Sequence, residues 1–205
     1  MNSALKSYID ALVQDTNQIE ASRTQILDSL TVFIQQQMDE GRQAKLTFIC
    51  THNSRRSHFG QIWAQAAAEY FGFGDSVKTY SGGTEATAFN PRAVKATEKA
   101  GFLVKNPGGD NPRYEVSIGK EKPTMICFSK TYDDQFNPSS DFAAVMTCSD
   151  ADENCPVILG AKSRIPLTYE DPKMADDTPF ESERYDERCK QIATEMLYVM
   201  SNVKV

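Results

Sequence analysis

The strongest constraint on this chain is an order of segments: short apolar, partly β-branched runs alternate with helix-patterned stretches. Leu46-Thr47-Phe48-Ile49 has the length of one buried strand and stops at Cys50. Residues 57–71 follow with Ala64, Ala66, Ala67 and Ala68 beside Ile62, Trp63 and Tyr70, a helical composition. Residues 77–81 read as a second strand closed by Gly82-Gly83. Residues 91–100 read as a helix, with Asn90 as N-cap, Pro91 at its first position and Gly101 past its end. Residues 143–147 form a further strand that stops at Cys148, and 165–168 a short last one. The final helix is expected from Thr178, with Pro179 at its first position and Ile192, Met196, Val199 and Met200 on its apolar face. This alternation predicts right-handed βαβ units and an α/β fold on a short, mainly parallel sheet. Reactive groups on such sheets lie beyond the carboxyl ends of strands, where Cys50 and Cys148 both stand.

The flanks are less regular. Residues 1–41 form a helical extension, with Leu5, Ile9, Leu12, Ile19, Ile26, Leu30 and Phe33 at spacings of three and four and Gly41 as a C-cap. Such a stripe suits packing on the main domain or a homodimer seam. Within the main domain, residues 45–205, an insertion at about 106–141 contains a possible hairpin of 114–118 and 124–129 around Gly119-Lys120-Glu121-Lys122. The net charge of -6, with no basic run, argues against nucleic acid. No apolar stretch reaches the roughly 18 residues of a membrane span, and no secretory signal is visible, so the cytoplasm is the expected compartment. Five cysteines are then expected as thiols.

The segment Cys50-Thr51-His52-Asn53-Ser54-Arg55-Arg56-Ser57 joins a strand to a helix with the spacing Cys-x5-Arg-Ser. A loop wrapping into a helix N-terminus aims several backbone N–H groups at one spot, and the same field favours a thiolate. Arg56 offers a planar fork matched to a tetrahedral oxyanion, and Ser57 a hydrogen bond to the sulfur. Asn53 suits an unusual loop conformation.

The run LTFICTHNSRRSHFGQIW resembles the active-site loop of the low-molecular-weight protein tyrosine phosphatase superfamily, which includes the thioredoxin-coupled arsenate reductases. The resemblance implies a three-layer α/β sandwich, Cys50 as nucleophile and Arg56 as oxyanion clamp. It spans about residues 45–200 and extends to Tyr80-Ser81-Gly82-Gly83-Thr84-Glu85, Asn90-Pro91 and Asp171-Pro172, but not to residues 1–40. Asp171 is implied as the proton donor; Tyr169 and Glu170 are further possibilities beside it.

Cys148-Ser149-Asp150-Ala151-Asp152-Glu153-Asn154-Cys155-Pro156 chooses between the branches. Two thiols at this spacing are too far apart for a Cys-x-x-Cys turn and supply only half of a structural zinc shell. The segment resembles the cysteine pair of thioredoxin-coupled arsenate reductases. The resemblance implies that Cys148 attacks the Cys50 adduct, that Cys155 resolves the product, and that thioredoxin reduces the Cys148–Cys155 disulfide. The alternative is a low-molecular-weight tyrosine phosphatase using Cys50, Arg56 and Asp171, and a third reading is a redox or oxyanion sensor.

The chain departs from the family at His52, His58, Arg55 and Gln61. No tightly bound cofactor is implied. Some family members hold a potassium ion near the loop; Asn53 and Ser81 match that site, whereas Gln61 replaces an expected glutamate. Cys127 and Cys189 are expected to be packing residues. The lack of aromatic residues beside Asp171-Pro172 favours a small inorganic oxyanion, with Tyr114 or Phe136 available as an aromatic wall.

Overall fold

A computed structural model describes residues 1–120, 122, 124–155 and 157–204 of the chain. Glu121 of the anticipated turn and Pro156 of the cysteine segment lie outside the described residues. Among the described residues the helices and strands are, in order, α1 (Ser3–Val13), α2 (Ala21–Asp39), β1 (Ala44–Cys50), α3 (Arg56–Tyr70), β2 (Val77–Gly83), α4 (Pro91–Lys99), β3 (Leu103–Lys105), β4 (Tyr114–Ser117), β5 (Met125–Cys127), β6 (Phe142–Met146), α5 (Ser149–Asn154), β7 (Ala161–Ile165) and α6 (Glu181–Ser201).

The central sheet is parallel throughout, in the order β2-β1-β6-β7. Side chains alternate across it, as the pleat requires. Leu46 and Phe48 enter a large core with Ala143 and Val145, which α1, α2, α3, α4 and α6 close. Ile49, Ala144 and Met146 face the other way, into a smaller cluster covered by Ala151 of α5 and Ile158. This is an α/β sandwich with one thick and one thin outer layer.

Several local signals act as their chemistry dictates. Asn90 caps α4, its Oδ1 accepting from the Arg92 N–H at 2.9 Å, with Pro91 inside the first turn. Gly41 adopts the left-handed conformation (φ 67°) just after α2. The insertion forms the expected hairpin as β4 and β5, and β3 just before it pairs with β4 to complete an antiparallel sheet β3-β4-β5.

Two expectations are corrected. The last strand is Ala161–Ile165 rather than 165–168; it is an edge strand whose Lys162, Ser163 and Arg164 carry no apolar signal. The last helix begins at Glu181, not near Thr178. Asp177 takes φ 62° and Thr178 accepts from the Glu181 N–H through its carbonyl, so Pro179 lies in a turn before the helix. The extension is two helices with a 3-10 turn between, and its stripe is spent within its own chain. Leu5, Ile9, Leu12, Leu27, Leu30, Phe33 and Ile34 are all buried in the main core, and Tyr8 stacks on Trp63 of α3 at 5.7 Å. Among the described residues no helix is long and apolar enough to cross a membrane.

Candidate active site

Cys50 ends β1, Cys148 follows β6, and the loop between β1 and α3 lies at the same sheet edge. A relay of hydrogen bonds fixes the loop from inside. Asn53 is fully buried in the left-handed conformation (φ 45°), which an Asn side chain tolerates through local bonding. Its Oδ1 accepts from the Lys130 N–H at 2.9 Å, and its Nδ2 donates to Ser57 Oγ at 2.9 Å. That leaves the Ser57 hydroxyl hydrogen free to point at Cys50 Sγ, 3.1 Å away.

The outer side of the loop is clamped by the end of β2 and the residues that follow it. The Cys50 carbonyl accepts from the Thr84 N–H at 3.2 Å, and the Thr51 carbonyl from the Glu85 N–H at 2.9 Å. The approach is so close that a Cβ on Gly83 would collide with the carbonyl oxygens of Thr51 and Glu85. Ser54 donates to the Ala88 carbonyl at 2.8 Å. His52 stands outside, half exposed, 2.8 Å from Glu85. His58 is buried instead, its Nδ1 3.2 Å from Ser81 Oγ and its ring stacked on Phe89 at 4.0 Å. Burial, aided by the Lys130 charge, holds His58 well below the ordinary histidine range and hence neutral.

Arg56 begins α3 and is tied on one edge only. One Nη donates to the Tyr169 carbonyl at 2.8 Å and the other to Asp171 Oδ2 at 2.5 Å. Its Nε is buried without a hydrogen-bond partner and so keeps an uncommitted donor. Arg55 is not a solvated charge. It donates to Tyr185 Oη at 2.8 Å and lies 3.5 Å from Asp176, and Tyr185 in turn donates to Asp176 at 2.8 Å. Burial first, then the Asp176 hydrogen bond, pushes the Tyr185 phenol up to about 12.

The second thiol lies against the same loop. Cys148 is 1% exposed and caps α5, its Sγ accepting from the Ala151 N–H at 3.4 Å. Thr51 Oγ1 is 3.4 Å from that sulfur and donates to Asp150 Oδ2 at 2.6 Å. With its proton committed to Asp150, the Thr51 hydroxyl accepts from the Cys148 thiol. Cys155 ends α5, half-buried, and packs on the small cluster that already holds Cys50 and Cys148. Asp152 joins Arg164 of β7 at 2.6 Å and pins this short helix down. Cys127 and Cys189 are buried in the large core, and burial pushes both thiols up to about 12.

A cavity of about 810 Å³ opens onto the site, lined by Arg56, Cys148, Asp171, Met174, Phe180 and Arg188, among others. Phe180, from the turn before α6, and Tyr169 are the aromatic residues in that lining. Tyr114 is buried against Phe89, and Phe136 packs on Phe128 beside a different cavity. Lys130, Tyr185 and Asp176 hold the loop from outside its motif and carry no signal in the sequence. Only their partners in space reveal them. Among the described residues no cluster of His, Cys, Asp and Glu is arranged to hold a metal ion. The proposed potassium donors do not suit a cation. Asn53 Oδ1 accepts an N–H, Ser81 Oγ engages His58, and the buried Lys130 side chain lines the same cavity as Gln61.

No family model matches the chain. Among curated proteins, "Arsenate reductase 2" of Staphylococcus epidermidis is 30% identical over 125 residues, covering 61% of this chain and 76% of that protein. "Arsenate reductase" of Bacillus subtilis is 29% identical over 143 residues, covering 70% and 84%. Among solved structures, a low-molecular-weight phosphotyrosine phosphatase from Vibrio cholerae superposes with a TM-score of 0.52 at 12% identity, over 77% of this chain and 95% of that one. An arsenate reductase in its phosphate-binding state superposes with a TM-score of 0.50 at 16% identity, over 78% and 99%. At these identities the structural likeness establishes the fold.

Proposed function

The chain belongs to the arsenate reductase family, on the low-molecular-weight phosphatase fold, and on that footing we propose that it reduces arsenate to arsenite with Cys50 as nucleophile. The observation that carries this reading is the gathering of Cys50, Cys148 and Cys155 in one small cluster beside the Arg56 fork. A phosphoryl-transfer site has no need of the second and third thiols.

The chemistry runs in three displacements. Arg56 and the loop N–H groups orient the arsenate oxygens, and the Cys50 thiolate attacks arsenic. An As–O bond breaks, and Asp171 supplies the proton with which that oxygen leaves as water. The Cys148 thiolate then attacks the Cys50 sulfur. A Cys50–Cys148 disulfide forms, the S–As electron pair stays on arsenic, and arsenite departs. Finally Cys155 attacks Cys148, freeing the Cys50 thiolate and leaving a Cys148–Cys155 disulfide. A dithiol carrier of the thioredoxin kind restores both thiols.

The last step requires α5 to unwind. Cys148 and Cys155 cap its two ends. Seven residues of helix span about 10 Å, beyond the roughly 7 Å at which a disulfide can close. An isolated helix of this length is unstable in water, so it opens once its side-chain ties release.

A second reading, hydrolysis of an organic phosphate by Cys50, Arg56 and Asp171, is favoured by the size of the cavity and by Phe180 and Met174 in its lining. One experiment separates the two. NADPH consumption is measured with arsenate, thioredoxin and thioredoxin reductase, for the natural protein and Cys148→Ser. Arsenate-dependent turnover that vanishes in the variant is the expected result. No turnover, with phosphotyrosine peptides hydrolysed equally by both proteins, replaces the reductase with the phosphatase.

A further inference from the structure

We infer that Arg23 is a positioning residue for this site, and that the helical extension holds the Asp171 loop in place from behind. The inference rests on the reading of Cys50, Arg56 and Asp171 given above. It assigns a task to residues that the family motifs do not reach.

Arg23 lies on α2, and through three contacts its guanidinium ties the segment before Asp171 to α6. It donates to the Thr168 carbonyl at 3.1 Å. It forks onto Glu195 of α6, at 2.9 Å from Nε and 2.8 Å from Nη2. It also covers the Tyr169 ring, 4.7 Å from the centroid. Tyr169 completes the knot by donating its hydroxyl to Glu195 at 2.7 Å. Glu195 is 3% exposed, so Arg23 is what compensates a buried carboxylate.

The front of the same segment faces the chemistry. The Tyr169 carbonyl and the Asp171 carboxylate are the two groups that tie down Arg56. Any shift of residues 168–171 therefore displaces both partners of the oxyanion clamp and the proton donor together. The segment has no regular secondary structure of its own, lying between β7 and the 3-10 turn at Pro172–Ala175. Its backbone is fixed by these side chains and by the Tyr169 N–H bond to the Thr147 carbonyl at 3.2 Å. A bidentate arginine is suited to this, because one planar group sets several atoms at once.

The test compares Arg23→Met, Arg23→Lys and, as a control on the exposed face of α2, Ser29→Ala. Each is assayed for thioredoxin-coupled arsenate reduction and for hydrolysis of para-nitrophenyl phosphate, both of which call on Arg56 and Asp171. Circular dichroism first shows each variant folded at the assay temperature. Arg23→Met is expected to lose roughly 10- to 100-fold in kcat/KM in every activity the natural protein shows. Arg23→Lys recovers part of the loss, and Ser29→Ala changes nothing. In the double variant Arg23→Met/Asp171→Asn, the second change costs less than it does alone, because the proton donor is already misplaced. A folded Arg23→Met with unchanged kcat/KM, or fully multiplicative losses, overturns the inference. If Arg23→Met does not fold, Arg23→Lys and Glu195→Gln decide on the same criteria. A natural protein inactive in both assays removes the reading of the site itself.

Discussion

Replacing Asn53 separates the two ways in which that residue holds the loop. Its side chain makes two buried hydrogen bonds, to the Lys130 N–H and to Ser57 Oγ, each at 2.9 Å. Its backbone sits at φ 45°. Asn53→Gly removes both bonds and leaves the backbone at ease. Stranding the buried Lys130 N–H costs roughly 1–3 kcal/mol and the Ser57 bond about 1 kcal/mol, giving about 2–4 kcal/mol in all. Asn53→Ala loses the same bonds and adds about 1–2 kcal/mol for a Cβ in the left-handed region. Against this, alanine regains about 0.4–1 kcal/mol over glycine through a less flexible unfolded chain. The expected order of stability is natural protein, Asn53→Gly, Asn53→Ala, with the last two roughly 1 kcal/mol apart at the centre of these ranges. Urea unfolding followed by circular dichroism measures this, and the first gap corresponds to roughly 4–16 °C in Tm for a chain of this length. Both variants also leave the Ser57 hydroxyl unoriented, so arsenate kcat/KM falls with them. An Asn53→Ala protein as stable as Asn53→Gly would refute the strain argument, and a Gly variant as stable as the natural protein would refute the relay.

Two further outcomes follow from the same geometry. His58 has a folded pKa depressed by burial, so its stabilising contribution is fully present above the unfolded value of about 6.5 and is lost as pH falls from there towards the folded value. His58→Gln is expected to flatten the dependence of Tm on pH between about 7 and 5; an unchanged slope would show that another group titrates there. Arg164→Gln breaks the 2.6 Å pair with Asp152 and loosens α5. Cys148 is buried at the N-terminus of that helix, so its alkylation by N-ethylmaleimide should quicken about fivefold for a loss of ~1 kcal/mol; equal rates would mean that the pair contributes nothing to closure.

What was legible in the sequence was local. Leu46 to Ile49 specify a buried strand by β-branching and apolarity. Asn90-Pro91 specify a helix start by capping. The Cys50–Ser57 spacing specifies a loop that turns backbone N–H groups and one guanidinium toward a single point. These features depend on neighbours within a turn or two, so their chemistry can be read without knowing what lies across the fold. The boundaries of β7 and α6 were not legible, because an edge strand with Lys162, Ser163 and Arg164 has no apolar face to show. The turn at Asp177 likewise delays a helix that Pro179 alone would start.

Tertiary structure decided which distant groups complete the site. Lys130 holds Asn53, Tyr185 and Asp176 hold Arg55, Phe180 walls the cavity, and Arg23 reaches Thr168 across 145 positions of chain. The amphipathic stripe of residues 1–41 was visible from its spacing. That it covers this core shows only in the apolar face that α3 and α6 present to it. A periodic pattern states that a face must be buried, and only the packed fold states against what.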